Sequence, residues 1–502
     1  MPSEQRLHPA SILFGLLGQL REFAIPLLLA AVAGSRGGAL DTVALIVLIP
    51  YTVVAVGRYW WFRYRFEPHE LVVRSGLVFR NERHIPYARI QNLDAVENVL
   101  HRVLGVVDVR VDTGSGSDTD ARLSVVTWNA YADMRERVFA GRQAATEAAG
   151  QVPASADERP RVLLELPPRE LVVHGLIENR GGIVIAGIIG LLWEAGIAER
   201  LIDRVVGDDI AQGGLIRDIL ASARTAGGVP WDRVALVGVA LLGLLAVIRL
   251  LSVVLALVRL HGFRVARMGE DLRAEYGLLT RVSATIPLRR IQTLTVTEGV
   301  LHRLFGRVSV RVDTAGGAGP QGGERRRESL APVIARGRWQ AFVRDVMPEL
   351  DLTAIDWQRP GAGATAREVR RRFIVAAVLS APLAYVLHWQ ALVVFVALAA
   401  WGVLAGFRYV AHLRWAVADG AVLFKSGWLS RHLSIARFTR IQSVAMRESP
   451  FDRRWSMARV SVDTAGAGAA SHRIDIPYLA RDIAANLHAG LSAAAARTAF
   501  PW

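Results

Sequence analysis

The 502-residue chain contains no cysteine. Disulfides, thiolate nucleophiles and cysteine-ligated zinc are therefore excluded. Lysine is almost absent too: Lys425 is the only one, so the 60 basic residues are otherwise arginine. The histidines, among them His84, His101, His302, His432 and His472, never fall into a metal-ligand spacing. Asp112 with Asp118-Thr119-Asp120 lacks the glycine and distal glutamate of a calcium loop. No metal and no cofactor are expected. The opening Met1-Pro2-Ser3-Glu4-Gln5-Arg6 also lacks the charged, apolar, small-residue layout of a cleaved signal peptide.

What is present in excess is apolar. Hydrophobic residues make up 52% of the chain, although 21% is charged and the formal net charge is +15. A uniform soluble domain rarely combines these, so apolar spans and charged domains are expected to be segregated along the chain. A basic balance suits anionic lipid or nucleic acid. The apolar spans favour lipid, and no nucleic-acid partner is expected.

Six such stretches come in three pairs: roughly 23–40 with 42–61, 181–197 with 234–258, and 373–388 with 390–408. About 20 mainly apolar residues cross a bilayer core, so the lengths predict three hairpins of transmembrane helices. Arg58, Arg63, Arg65, Arg259, Arg264, Arg370, Arg371, Arg372, Arg408 and Arg414 crowd one side of these spans. The positive-inside rule then predicts a multi-pass cell-membrane protein with both termini and the charged domains in the cytoplasm.

After each hairpin comes the same phrase: a glycine, then Arg-Ile-Gln, then a strand ending Val-Asp-Thr. The copies are Gly76, Arg89-Ile90-Gln91, Val111-Asp112-Thr113; Gly277, Arg290-Ile291-Gln292, Val312-Asp313-Thr314; and Gly427, Arg440-Ile441-Gln442, Val462-Asp463-Thr464. Glycine to arginine is 13 residues, and glutamine to aspartate 21, in every copy. Gap-free recurrence means one unit built three times. Alternating runs such as Val107–Val111 and Val308–Val312 predict strands, and each copy closes on a helical stretch (about 130–146, 334–347 and 478–490). Glu324–Glu328, after the glycines of 316–323, is read as a solvated loop.

Pro168–Leu176 echoes Pro9–Leu16, and both are read as interfacial helices. The division of the chain is then an interfacial segment and hairpin over 1–62, a domain at 63–148, a linker and interfacial segment at 149–180, and a hairpin with an outer loop (198–232) at 181–262. A domain at 263–350, a linker at 351–371, a hairpin at 372–410, a domain at 411–492 and a tail at 493–502 complete it.

Ile286-Pro287-Leu288-Arg289-Arg290-Ile291-Gln292, Leu301-His302-Arg303-Leu304-Phe305-Gly306 and Val310-Arg311-Val312-Asp313-Thr314 carry a resemblance. Together they resemble the bacterial pleckstrin-homology-like domain of multi-pass YdbS/YdbT-type membrane proteins. The third copy departs from it, with Arg437 for the proline and Phe451-Asp452-Arg453-Arg454-Trp455-Ser456 for Leu-His-Arg-x-x-Gly. The resemblance implies an α+β membrane protein: three transmembrane hairpins, each followed by a β-barrel or sandwich capped by a C-terminal helix. It implies no enzymatic activity.

Two sets of residues follow. Arg89, Gln91, Asp112, Arg290, Gln292, Asp313, Arg440, Gln442 and Asp463 are read as repeat framework, the arginine pairing with the aspartate of its own unit. Arg63, Arg65, Arg80, Arg83, Arg264, Arg267, Arg281 and Arg431 are the candidate contacts to anionic inner-leaflet lipid. Strand-end Asp-Thr-Gly at 112–114 also matches the way aspartic proteases present their carboxylates. Three copies divided by hairpins fit that chemistry poorly.

The expected function is a non-enzymatic scaffold or lipid- and protein-interaction module with a membrane or cytoplasmic protein partner, such as another PH-like membrane protein. The resemblance points to envelope stress or resistance. A transport or export component is the alternative, with Glu194 and Arg249 as its intramembrane ionisable groups.

Overall fold

The structure, a computed structural model, describes residues 5–14, 56–57, 59–76, 80–87, 90, 92–112, 121–148, 160–194, 231–318, 325–387, 389–464 and 474–497. Unit one comprises β1 (Gln5–Arg6), β2 (Arg63–Phe66), β3 (Glu70–Ser75), β4 (Asn81–Pro86), β5 (Asn92–Asn98), α1 (Val99–Val103), β6 (Val106–Asp112), β7 (Ala121–Thr127) and α2 (Trp128–Ala148). Unit two opens with β8 (Arg161–Glu165) and three helices, α3 (Pro168–Ile177), α4 (Arg180–Glu194) and α5 (Trp231–Arg259). It continues through β9 (Arg264–Met268), β10 (Asp271–Tyr276), β11 (Thr280–Pro287), β12 (Ile291–Glu298), α6 (Val300–Leu304), β13 (Arg307–Ala318), β14 (Arg325–Ala335) and α7 (Trp339–Val346). Unit three comprises α8 (Ala364–Leu387), α9 (Gln390–His412), β15 (Arg414–Ala418), β16 (Ala421–Ser426), β17 (Arg431–Arg437), β18 (Ile441–Arg447), α10 (Pro450–Arg454), β19 (Met457–Thr464), β20 (Ile474–Ala480) and α11 (Arg481–Ala496).

Each unit thus has two runs of three strands, and in units one and two an outer strand, β1 or β8, is added before the first run. The valines of the alternating strand form the floor of each core: Val107, Val109 and Val111, then Val308, Val310 and Val312, then Val460 and Val462, all buried. The repeated glycines turn the second hairpin of each first run at positive φ (110° at Gly76, 115° at Gly277, 81° at Gly427). A Cβ on Gly277 or Gly427 would also collide with the carbonyl oxygen of Thr280 or Ser430. Only glycine fits there.

The two strand runs of a unit do not close on each other, which corrects the expected barrel or sandwich. The sheets run β1-β2-β3-β4, then β7-β6-β5-β11-β10-β9-β8, then β14-β13-β12-β17-β16-β15, then β18-β19-β20. The second run of unit one is continuous with the first run of unit two, and likewise from two to three. The physical reason is a choice of edge: β5 pairs with β11, and β12 with β17, in the next unit. Both junctions are antiparallel and in the same register. Glu97 stands opposite Arg281 in the first, and Glu298 opposite Arg431 in the second.

Packing follows the same displacement. Leu423, Leu433 and Ile435 of unit three belong to the core built around Leu272, Leu294 and Val310 of unit two. The opposite face of that sheet, with Val422, Phe424 and Ala436, covers unit three's own core. Of the stretch read as a solvated loop at 324–328, residues 325–328 instead open β14, which pairs with β13.

Six membrane spans are also not what the structure shows. Among the described residues two helical segments, Gly238–Arg259 and Ala391–His412, are long and apolar enough to cross a membrane. The expected pair 23–40 and 42–61 lies almost wholly outside the described residues. The described part of helix α4 is 15 residues long, fewer than a span needs. Helix α8 opens with Arg367, Glu368, Arg370, Arg371 and Arg372, too polar for hydrocarbon over its first turns. The multi-pass assignment resting on six spans is therefore withdrawn.

Helices α3, α4 and α5 pack through small residues. A Cβ on Gly175 would lie 2.4 Å from Val253 Cα, and one on Gly181 2.2 Å from the Ile248 oxygen. Ser252 Oγ receives a hydrogen bond from the Gly181 backbone at 2.8 Å. Glu170 on α3 takes a two-pronged hydrogen bond from Arg307 on β13, 2.8 Å at each oxygen. Unit three is fastened to its helices by Glu368. This carboxylate is fully buried, accepting from Tyr478 Oη (2.6 Å), Arg371 and Arg372.

Candidate membrane-facing site

The repeated phrase has a geometric explanation. Arg-Ile-Gln lies across an antiparallel ladder from Val-Asp-Thr, with Ile291 opposite Thr314 and Thr293 opposite Asp313; Ile441 and Ser443 face Thr464 and Asp463 likewise. The glutamine is the extra residue of a bulge in both ladders. Gln292 is buried and donates to the Arg290 carbonyl at 3.2 Å. In unit one Asn92 faces Asp112, while Arg89 and Gln91 lie outside the described residues.

Arg290 and Asp313 are both engaged in unit two. In unit three Arg440 Nε and Asp463 Oδ1 are buried without hydrogen-bond partners. Burial lowers the Arg440 pKa, helped by the nearby positive charges of Arg437 and Arg289. Asp112, Asp313 and Asp463 lie in three different sheets, on β6, β13 and β19. Among the described residues no cluster of His, Asp and Glu could hold a metal ion.

A surface of another kind forms where the glycine turns meet the apolar helices. Gly277 N donates to the His261 oxygen (2.8 Å) and Leu278 N to the Val258 oxygen (2.9 Å), so this turn sits at the C-terminal end of α5. In unit three Trp428 of the turn contacts Trp401 of α9, ring centroids 5.8 Å apart. Arg431 donates to His412 Nε2 at the end of the same helix (3.0 Å). The turn tips expose Leu278, Leu279 and Leu429, beside the exposed Val103 and Leu104 of unit one and Val300 and Leu304 of unit two. Along α5, Val239, Leu241, Leu242 and Leu250 are more than half exposed, and along α9 so are Leu392, Val393 and Val396. Apolar patches of this kind mark an apolar partner.

Arginines tie the rim together, and these the sequence reading missed. Arg102 Nη2 reaches the Leu278 carbonyl of unit two (3.4 Å), and the equivalent Arg303 reaches Leu429 of unit three (2.8 Å). The Leu-His-Arg motif is thus a junction motif. Its constant place after the acidic Glu97 and Glu298 was the available signal. In unit three the motif's histidine position holds Asp452, which instead caps α10 through Ser449 and takes a hydrogen bond from Arg367 of α8.

The candidate lipid arginines fall into groups. Arg267 is spent on the Gly269 and Asp345 carbonyls. Arg431 is held by Glu298 and His412. Arg65 pairs with Glu67, and Arg281 with Glu275. Arg63 and Arg83 have partners within the protein. Arg80 and Arg264 are exposed, Arg264 five residues beyond the end of α5. Of the two intramembrane candidates, Arg249 donates to the Leu176 and Glu178 carbonyls, capping the end of α3. The Glu194 side chain lies outside the described residues.

Comparison with known proteins agrees with the three-unit organisation. The family model described as bacterial PH domain matches residues 13–140, 221–345 and 372–495. The UPF0699 transmembrane protein YdbT of Bacillus subtilis (strain 168) is 22% identical over 485 residues, covering 92% of each chain. No solved structure matches significantly. Three matches together spanning well over half of the sequence place the chain in the bacterial PH domain family, a family of non-catalytic modules, as a tandem array of three copies.

Proposed function

We propose that the chain is a membrane-associated, non-catalytic platform whose rim of turn tips and arginines rests on anionic lipid. One observation carries this. The two helices long and apolar enough to cross a membrane, α5 and α9, leave their faces uncovered and lead into β9 and β15, beside exposed leucines and arginine. Apolar tips would enter the headgroup boundary, and each nearby arginine would add about 1 kcal/mol at an anionic surface. The edge-joined sheets would hold the three units in fixed relation, so the rim acts as one surface. Arg80 and Arg264, both exposed, are the arginines offered for headgroup contact. Envelope stress or resistance is one setting for such a platform.

The absence of cysteine makes a direct test available. A single cysteine at Leu279, carrying a fluorophore in chains reconstituted into phosphatidylglycerol vesicles, should be quenched by lipids brominated along their acyl chains. A label at Ala489 on α11 should not be. Equal quenching at the two sites, or none at Leu279, would refute the lipid-facing rim.

A further inference from the structure

The two internal junctions define a rule: with strands counted within the two runs, leaving out the outer β1 and β8, the fourth strand of each unit takes the third strand of the next. The fourth strand of unit three, β18, has no such partner among the described residues. Among the described residues β19 is its only strand neighbour. No described strand pairs with its other edge, although helix α11 packs against β18 through Leu487 and Leu491. Gln442 and Ser443 are exposed, whereas the equivalent Gln292 and Thr293 of unit two are each 4% exposed. Val444 and Met446 are partly exposed, whereas the equivalent Leu294 and Val296 are buried.

The chemistry of a junction is nevertheless complete on this side. Glu448 occupies the position of Glu97 and Glu298, six residues beyond the repeat glutamine in every unit. Arg453 occupies the position of Arg102 and Arg303, five residues further on, and is exposed. Natural sheets blunt a solvent edge with charge. The corresponding edge at the other end of the array, β4, does this with Glu82, Arg83 and His84, all exposed. Strand β18 does not: Ile441-Gln-Ser-Val-Ala-Met-Arg447 carries one charge, at its end.

We infer that β18 is a docking edge for a fourth bacterial PH-type unit supplied by a different polypeptide. Its third strand pairs antiparallel with β18 in the register of the internal junctions. An arginine at the start of that strand faces Glu448, and Arg453 donates to a carbonyl of its glycine turn. Apolar outward residues, like Leu433 and Ile435 at the second junction, cover Val444 and Met446. A second copy of this chain fits poorly, because its β4 would set Glu82 against Met446 and His84 against Val444. The inference rests on the junctions and is independent of lipid contact.

The test is photocrosslinking of the full chain in its native membrane, with p-benzoylphenylalanine at Ser443 and, as a control, at Ala489. An adduct is expected at Ser443 only, and its sequenced peptide should be the third strand of a PH-type unit in another protein. Glu448→Arg should cut the adduct at least tenfold, and Arg→Glu at the start of the partner strand should restore it. That restoration separates docking from any damage caused by losing the Glu448–Arg481 pair, which is 3.0 Å long. No adduct, an adduct with β4 of a second copy, or one outside a PH-type unit would overturn the inference. So would failure of the charge swap.

Discussion

Glycine 277 shows how tightly one residue is specified. Gly105 sits at φ +64° in open space, so Gly105→Ala meets only the left-handed penalty of about 1–2 kcal/mol. Gly277→Ala adds a backbone collision to a similar penalty. It should destabilise the chain clearly more than Gly105→Ala in thermal melts of detergent-solubilised protein. Glu368 makes a second residue-scale prediction. Hydrogen bonds from Arg371, Tyr478 and Arg372 hold its pKa below the carboxylate range despite burial. Removing it as Ala leaves Arg371, Arg372 and Tyr478 without their acceptor and should cost roughly 3 kcal/mol.

The pH response of Glu170 has a definite sign. Its pKa is lowered, chiefly by the Arg307 hydrogen bond and against some desolvation. A folded-state pKa below the unfolded one adds stability above the unfolded value, about 4.3, that is lost as pH falls through the folded value. Melting temperatures followed from about pH 5 downward should therefore fall more steeply for the wild type than for Glu170→Gln. Parallel curves would contradict this role.

At the scale of elements, β17 is shared. Ile435 is fully buried among residues of unit two, although it belongs to unit three. Ile435→Ala should cost about 2–5 kcal/mol, and the loss should also appear as faster amide exchange on β12 of unit two. If β12 were unaffected, the shared core would be wrong. This sharing was partly legible. Leu433-Ser434-Ile435-Ala436 offers apolar or small residues to both faces, as a strand buried on both sides does, while Ser283 and Thr285 of β11 keep a polar face. The choice of partner edge was not legible, since strand alternation reads the same whether the neighbour belongs to its own unit or the next. The turn glycines, alternating valines and closing helices were readable because local sterics and burial specify them. The rim was not, because Arg102 and Leu278 are 176 residues apart.

For the whole molecule, the array is one continuous series of sheets rather than three closed domains on separate tethers. Six apolar runs encouraged the latter picture, yet hydropathy alone cannot distinguish a span from a helix with a charged opening turn, as in α8. The edge-joined array has a direct test, eased by the lack of native cysteine. Val96 and Val282 face each other across the first junction. Cross-strand partners lie about 4.5–5.5 Å apart at Cα, within disulfide range. Under mild oxidation, Val96→Cys with Val282→Cys should form an intramolecular disulfide in dilute detergent-solubilised protein. The register-shifted pair Val96→Cys with Ala284→Cys should stay reduced. Failure of the first pair to close, or equal closure of the second, would contradict the edge-joined array.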